Sequence, residues 1–148
     1  MNKEYVEEGE IPLLALAVLI YKAVDFHAHK KLYDLTKTQF IILAALYYGG
    51  TLNMTKVSEY ISSSKEQATR AVSPLADRGL ISRVEHPDNR KHVYLELTDE
   101  GRELMVSLRG EMRERFRQRV DAALTPEEKD ELLSSAKTLT ALLAKLCG

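Results

Sequence analysis

Lys65, Gln67, Thr69, Arg70 and Ser73 crowd into a nine-residue window and carry charged donors, an amide and two hydroxyls. Arginine and glutamine can pair bidentately with guanine and adenine edges in a major groove, and serine and threonine reach bases or phosphates. Further along, the stretch HPDNRKH sets two adjacent cations, Arg90 and Lys91, just after a Pro-Asp-Asn turn signal. Cations on such a tip suit a narrow minor groove, where negative potential is concentrated. The chemistry common to both groups is recognition of double-stranded DNA. Each also has an ordinary alternative, a solvated helix face in the first case and a surface hairpin in the second.

Elements with clear local signals position these residues. Ser64 and Gln67 have the spacing of a capping box, and Gly79 is placed to stop the helix that Ser64 opens. At 3.6 residues per turn, Ala68, Val72, Leu75 and Ala76 share a core face. Glu66, Arg70, Ser73 and Asp77 lie opposite, with Gln67 and Thr69 on the flanks. Ser64 and Lys65 at the helix start complete the DNA-facing set. Pro74 falls inside this helix, removes one backbone donor and predicts a slight kink. Before it, MTKVSEYI reads as a short helix capped by Asn53, with Val57, Tyr60 and Ile61 on one side. Two helices joined by a short turn make a helix-turn-helix. After it, LISRVE and the alternation of His92, Tyr94 and Glu96 with Val93, Leu95 and Leu97 predict a hairpin with one buried face. Over residues 62–92 six basic residues stand against four acidic ones, a local excess in a chain of net charge −1.

The remaining segments read as helices. Pro12 opens a strongly apolar one running to about Tyr33. Thr36 and Gln39 box the next, with Phe40, Leu43, Ala44 and Tyr47 on one face and Gly49-Gly50 at its end. Two more follow the hairpin, the last started by Thr125, Pro126 and Glu128. The order α-α-α-α-β-β-α-α describes a mainly α fold with one β-hairpin. Residues 36–97 form the winged-helix lobe, and residues 1–35 with 98–148 a helical lobe. Leu132, Leu139 and Leu146 recur at seven-residue spacing with Leu143 on the same stripe, and the first helix is apolar nearly all round from Leu13 and Leu14 onward. Surplus apolar faces on terminal helices predict a symmetric homodimer with those six leucines in its interface. Arg109, Arg113, Arg115, Arg117 and Arg119 are interspersed with Glu111, Glu114 and Asp121, the pattern of a salt-bridged solvated face rather than a second DNA patch.

The bulk numbers are those of an ordinary folded chain: 148 residues, 45% hydrophobic and 29% charged. A lone cysteine, Cys147, cannot form an intramolecular disulfide, the acidic N-terminus lacks a signal-peptide pattern, and IPLLALAVLIYKAV falls short of the ~20 residues a membrane span needs. A cytoplasmic protein without membrane contact is expected. His27 and His29 point different ways on a helix, and no Cys-x-x-Cys or His-x-x-x-His occurs, so neither an enzyme, a metal site nor a cofactor is expected.

LTKTQFIILAAL, SKEQATRAVSPLADRGLISR and HPDNRKHVYLELTDEG resemble, in order, blocks of MarR-type transcriptional regulators, over roughly residues 10–146. The resemblance implies a dimeric winged-helix repressor on a palindromic operator, released by a small, phenolic or otherwise aromatic ligand, or by oxidation in some branches. It implies a ligand pocket to which Tyr21, His27, Tyr47 and Tyr48 could contribute, each equally readable as core. The family's wing carries Asp-x-Arg, which aligns on Asn89 and Lys91 here, while an Asp-x-Arg stands one step earlier at Asp88 and Arg90. Oxidant-sensing members carry a first-helix cysteine, absent here. A winged-helix module for protein rather than DNA is the rival reading, and it would want apolar anchors on the Ser64 helix.

Overall fold

A computed structural model describes residues 13–24, 33–86 and 89–147. The elements are α1 (Leu13–Ala23), α2 (Lys37–Gly49), β1 (Leu52–Asn53), α3 (Met54–Tyr60), α4 (Lys65–Asp77), β2 (Ile81–His86), β3 (Asn89–Leu97), α5 (Asp99–Ala123) and α6 (Pro126–Cys147). The remainder of the apolar run expected after α1, residues 25–32, lies outside the described residues. The chain divides into two compact units, residues 26–112 and residues 1–25 with 113–148.

In the larger unit the hairpin has an unforeseen neighbour. β1 pairs antiparallel with β3, Leu52 opposite Leu95, so the sheet has three strands in the order β1-β3-β2. Between them α2, α3 and α4 close a core of Ile42, Leu43, Leu46, Val57, Ala68, Val72, Leu75, Leu95 and Leu97, joined by Met105 and Leu108 of α5. The face α2 buries differs from the one expected. Ile42, Leu43, Ala45 and Leu46 are buried, while Phe40, Ala44 and Tyr47 are only partly covered. A helix apolar on nearly every side has no preferred face until its neighbours arrive.

Caps fix where each helix starts. The Thr36 hydroxyl accepts from Gln39 N at 3.2 Å while Thr36 N donates to Gln39 Oε1 at 2.9 Å. Asn53 Oδ1 accepts from Lys56 N at 2.9 Å, and Thr125 and Glu128 cap α6 reciprocally. α3 and α4 both end in Schellman turns. After α3, Ser62 N donates to Glu59 O and Ser63 N to Ser58 O. Ser62 therefore takes φ +50°, a left-handed conformation that costs a side chain about 1–2 kcal/mol. Ser62→Gly should relieve it and, after the extra entropy glycine loses on folding, stabilise the lobe by up to about 1 kcal/mol. A urea midpoint that falls instead would show the serine to be favoured there.

After α4, Gly79 holds the left-handed position at φ +70°, and Leu80 N donates to Leu75 O. The start of α5 closes on this turn. Thr98 N donates to Leu80 O at 3.2 Å, the Thr98 hydroxyl donates to Gly79 O at 2.6 Å, and Gly101 N donates back to that hydroxyl at 3.0 Å. Gly101 lies so close that a Cβ built on it would stand 1.9 Å from Leu80 O. The LTDEG segment is thus a seat: a hydroxyl that bonds both sides and a glycine that lets two backbones touch.

Candidate nucleic-acid interface

α4 is amphipathic in the way its sequence predicts, with Ala68, Val72 and Leu75 buried. Ser64, Lys65, Glu66, Gln67, Thr69 and Arg70 are exposed, and Ser73 is half-buried. The helix continues through Pro74 to Asp77. Its C-terminal end is pinned by Arg78, whose guanidinium donates to Tyr33 O at 3.0 Å and Asp34 O at 3.2 Å. That arginine, one of the six local cations in the sequence, is engaged with its own chain.

Hydrogen bonds within the helix set what each side chain still offers. Ser64 Oγ accepts from Gln67 N as the N-cap. The Thr69 hydroxyl donates to Lys65 O at 2.8 Å and the Ser73 hydroxyl to Thr69 O at 3.0 Å, so each turns its lone pairs outward. Ser63 Oγ, in the preceding turn, donates to Gln67 Oε1. Glu66 belongs to the same face and was not counted as a contact from the sequence. Its own backbone N–H, then the Ser64 hydroxyl, hold its carboxyl below the usual range. It is therefore an anionic acceptor, able to take the cytosine amino group and repelled by phosphate. Its place on the face opposite Ala68 and Val72 was the available signal.

On the wing, β2 and β3 pair from Ile81 with Leu97 out to Glu85 with Val93, then shift register so that His86 faces Asn89. Pro87 and Asp88 at the turn lie outside the described residues. Arg90 and Lys91 are the second and third residues of β3. Leu95 and Leu97 are buried as the alternation requires, but Val93 is 48% exposed. It stands in the outer half of the hairpin, past the rungs that the core covers. Tyr60, expected on the inner face of α3, is likewise 54% exposed, while Val57 and Ser58 take the buried positions.

Among the residues expected to line a ligand pocket, Tyr47 and Tyr48 meet edge to face with ring centroids 5.1 Å apart. The Arg109 guanidinium lies over the Tyr47 ring at 5.8 Å. Tyr48 is 74% exposed. Tyr21 stands on α1, in the other unit, and His27 lies outside the described residues.

In the smaller unit two arginines of α5, Arg117 and Arg119, are engaged with their own chain. Arg117 bonds Glu114 in a fork at 2.8 and 2.9 Å and reaches Asp121 at 2.8 Å. Arg117, then Gln118, hold the Glu114 carboxyl down at about 2. Arg119 donates to the carbonyls of Lys22 and Ala23, the last turn of α1. α1 and α6 nonetheless leave large apolar side chains in solvent. Leu14 is 81% exposed and Leu146 82%, with Val18, Ile20, Leu132, Leu133, Leu142 and Leu143 exposed between them. Leu139 is half-buried. Among the described residues no helix is long and apolar enough to cross a membrane.

Residues 35–93 match the MarR family. YhbI of Bacillus subtilis, an uncharacterised HTH-type transcriptional regulator, is 29% identical over 73 residues, 49% of this chain and 47% of that protein. The crystal structure of transcriptional regulator Tm0710 from Thermotoga maritima is similar at TM-score 0.70 and 26% identity, over 90% of this chain and 95% of that one. NadR, solved in complex with 4-hydroxyphenylacetate, shares the fold at TM-score 0.66 and 22% identity, covering 95% and 96%.

Proposed function

We propose that this chain, whose residues 35–93 match the MarR family, is a DNA-binding regulator of that family that acts as a homodimeric repressor of a palindromic operator and is released by a small aromatic ligand. The observation that carries the reading is α4: Lys65, Gln67, Thr69 and Arg70 stand exposed on a helix whose opposite side is locked into the core. Arg90 and Lys91 on β3 supply the second contact. No large apolar side chain is exposed on α4, which disfavours a protein-docking module.

Arg70 offers a guanidinium to a guanine edge, so Arg70→Ala should cost about 1–3 kcal/mol of binding and relax preference at particular operator positions. Titration of labelled duplexes bearing single-base changes checks this. A uniform loss across all sequences would reduce Arg70 to a phosphate contact.

Two copies follow from the apolar side chains left on α1 and α6, where Leu13, Leu14, Leu132, Leu139, Leu143 and Leu146 would form the interface. Sedimentation at low micromolar concentration should give twice the 16.8 kDa chain mass. A monomer there would remove the two-fold axis that spaces half-sites about one helical turn apart. For the ligand, the Tyr47 and Tyr48 rings and the Arg109 guanidinium offer aromatic edges and a cation, suited to an aromatic anion. The 4-hydroxyphenylacetate held by NadR is a compound of that class.

A further inference from the structure

We infer that Arg78, the residue capping the C-terminal end of α4, sets the accuracy with which that helix reads bases while touching none itself. The inference rests on the DNA-binding reading and names a positioning residue within it. α4 meets the core through Ala68, Val72 and Leu75, with only the partly buried Ala71 and Ala76 beside them. A stripe with such small flanks holds a helix down yet leaves it an axle about which to roll. Side-chain tips stand ~5–6 Å from a helix axis, so a roll of about 15° carries them about 1.5 Å. A binding constellation needs placement to within about 0.5 Å. Two ties at the end of α4 oppose that roll. The Thr98 hydroxyl donates to Gly79 O and joins the turn after α4 to the start of α5. Arg78 reaches a different part of the chain, donating to Tyr33 O at 3.0 Å and Asp34 O at 3.2 Å. The sense of both bonds is fixed by chemistry, because a guanidinium only donates and a carbonyl only accepts. The acceptors are backbone atoms of a well-held bend. Tyr33 packs on the core, Leu35 is buried, and Asp34 between them takes φ +50°. Two consecutive carbonyls there meet one planar fork, a match that the point charge of a lysine does not reproduce. Arg78 is thus a torque arm between α4 and the segment leading into α2, and it acts on Gln67, Thr69 and Arg70 through the set of the helix.

The experiment uses the full-length protein and two duplexes, one selected by the wild type from a randomised pool and one of the same composition in scrambled order. Arg78→Ala should bind the selected duplex about tenfold more weakly, a loss of the size one base contact supplies. Its affinity for the scrambled duplex and its slope of log affinity against log salt should stay at the wild-type values. Arg78→Lys keeps the charge without the fork and should recover only part of the discrimination. Urea unfolding and stoichiometric titration give the folded, competent fraction of each variant, to which its affinity is referred. A loss shared equally by both duplexes, with the slope lowered by about 0.9 per subunit, makes Arg78 a phosphate contact and overturns the proposal. Wild-type discrimination in Arg78→Ala overturns it too, leaving the clamp a matter of stability alone. Full discrimination in Arg78→Lys does the same, because charge and not the fork would then carry the effect. A folded wild type that selects no sequence at all would instead sink the DNA-reading function itself.

Discussion

Gly101→Ala should unfold the wing-bearing lobe far more readily than wild type, lowering stability by about 3 kcal/mol or more out of the ~5–15 kcal/mol a domain of this kind holds. The added methyl would fall 1.9 Å from Leu80 O, 2.9 Å from Leu80 C and 3.2 Å from a Leu97 methyl. Two of those atoms are backbone and cannot rotate aside. Relief requires the start of α5 to lift, which breaks the Thr98 bonds to Gly79 and Leu80 and opens the end of the core. Gly110, in the same helix, is the matched control because nothing lies within 4 Å of its Cβ. There the helix preference of alanine over glycine should stabilise by about 0.5–1 kcal/mol. Urea titrations of both variants should move the midpoint in opposite directions. A Gly101→Ala midpoint equal to wild type would mean that the two backbones part without cost.

Removing both wing cations, Arg90→Ala with Lys91→Ala, should weaken binding to every sequence by roughly ten- to a hundredfold at moderate salt. Each neutralised phosphate contributes about 0.9 to the slope of log affinity against log salt, so the slope should flatten by about one to two units per subunit. The hairpin keeps its pairing up to His86 with Asn89, which places residues 90 and 91 at its outer end. Sequence preference should survive in this variant, unlike in Arg70→Ala. Equal affinity and equal slope in the wild type and the double variant would leave the hairpin a structural turn.

What the sequence made legible were features decided within a few residues. The caps at Thr36, Asn53, Ser64 and Thr125 are side-chain bonds spanning three positions, and each forms. The face of α4 was equally readable, because polar and apolar residues there segregate at helical spacing. Features settled at long range were not. β1 is two residues long and exists because Leu52 and Asn53 find Leu95 and Tyr94 more than forty positions away. Two residues carry no period to detect. The exposure of Tyr60 and Val93 depends on where the core ends, which no local pattern records. The Arg78 clamp on Tyr33 and Asp34 spans a similar distance and engages one of the six local cations within the fold.

α6 has no fully buried side chain among its described residues. A helix with so little cover of its own draws its order from whatever packs on it. Under the proposed pairing, assembly and folding become a single equilibrium, and the stability of this chain scales with its abundance. Each tenfold dilution of a chain that folds only as a pair removes about 1.4 kcal/mol. A cell that makes few copies therefore keeps them less secure, and synthesis of the protein itself becomes a control on how long each copy lasts.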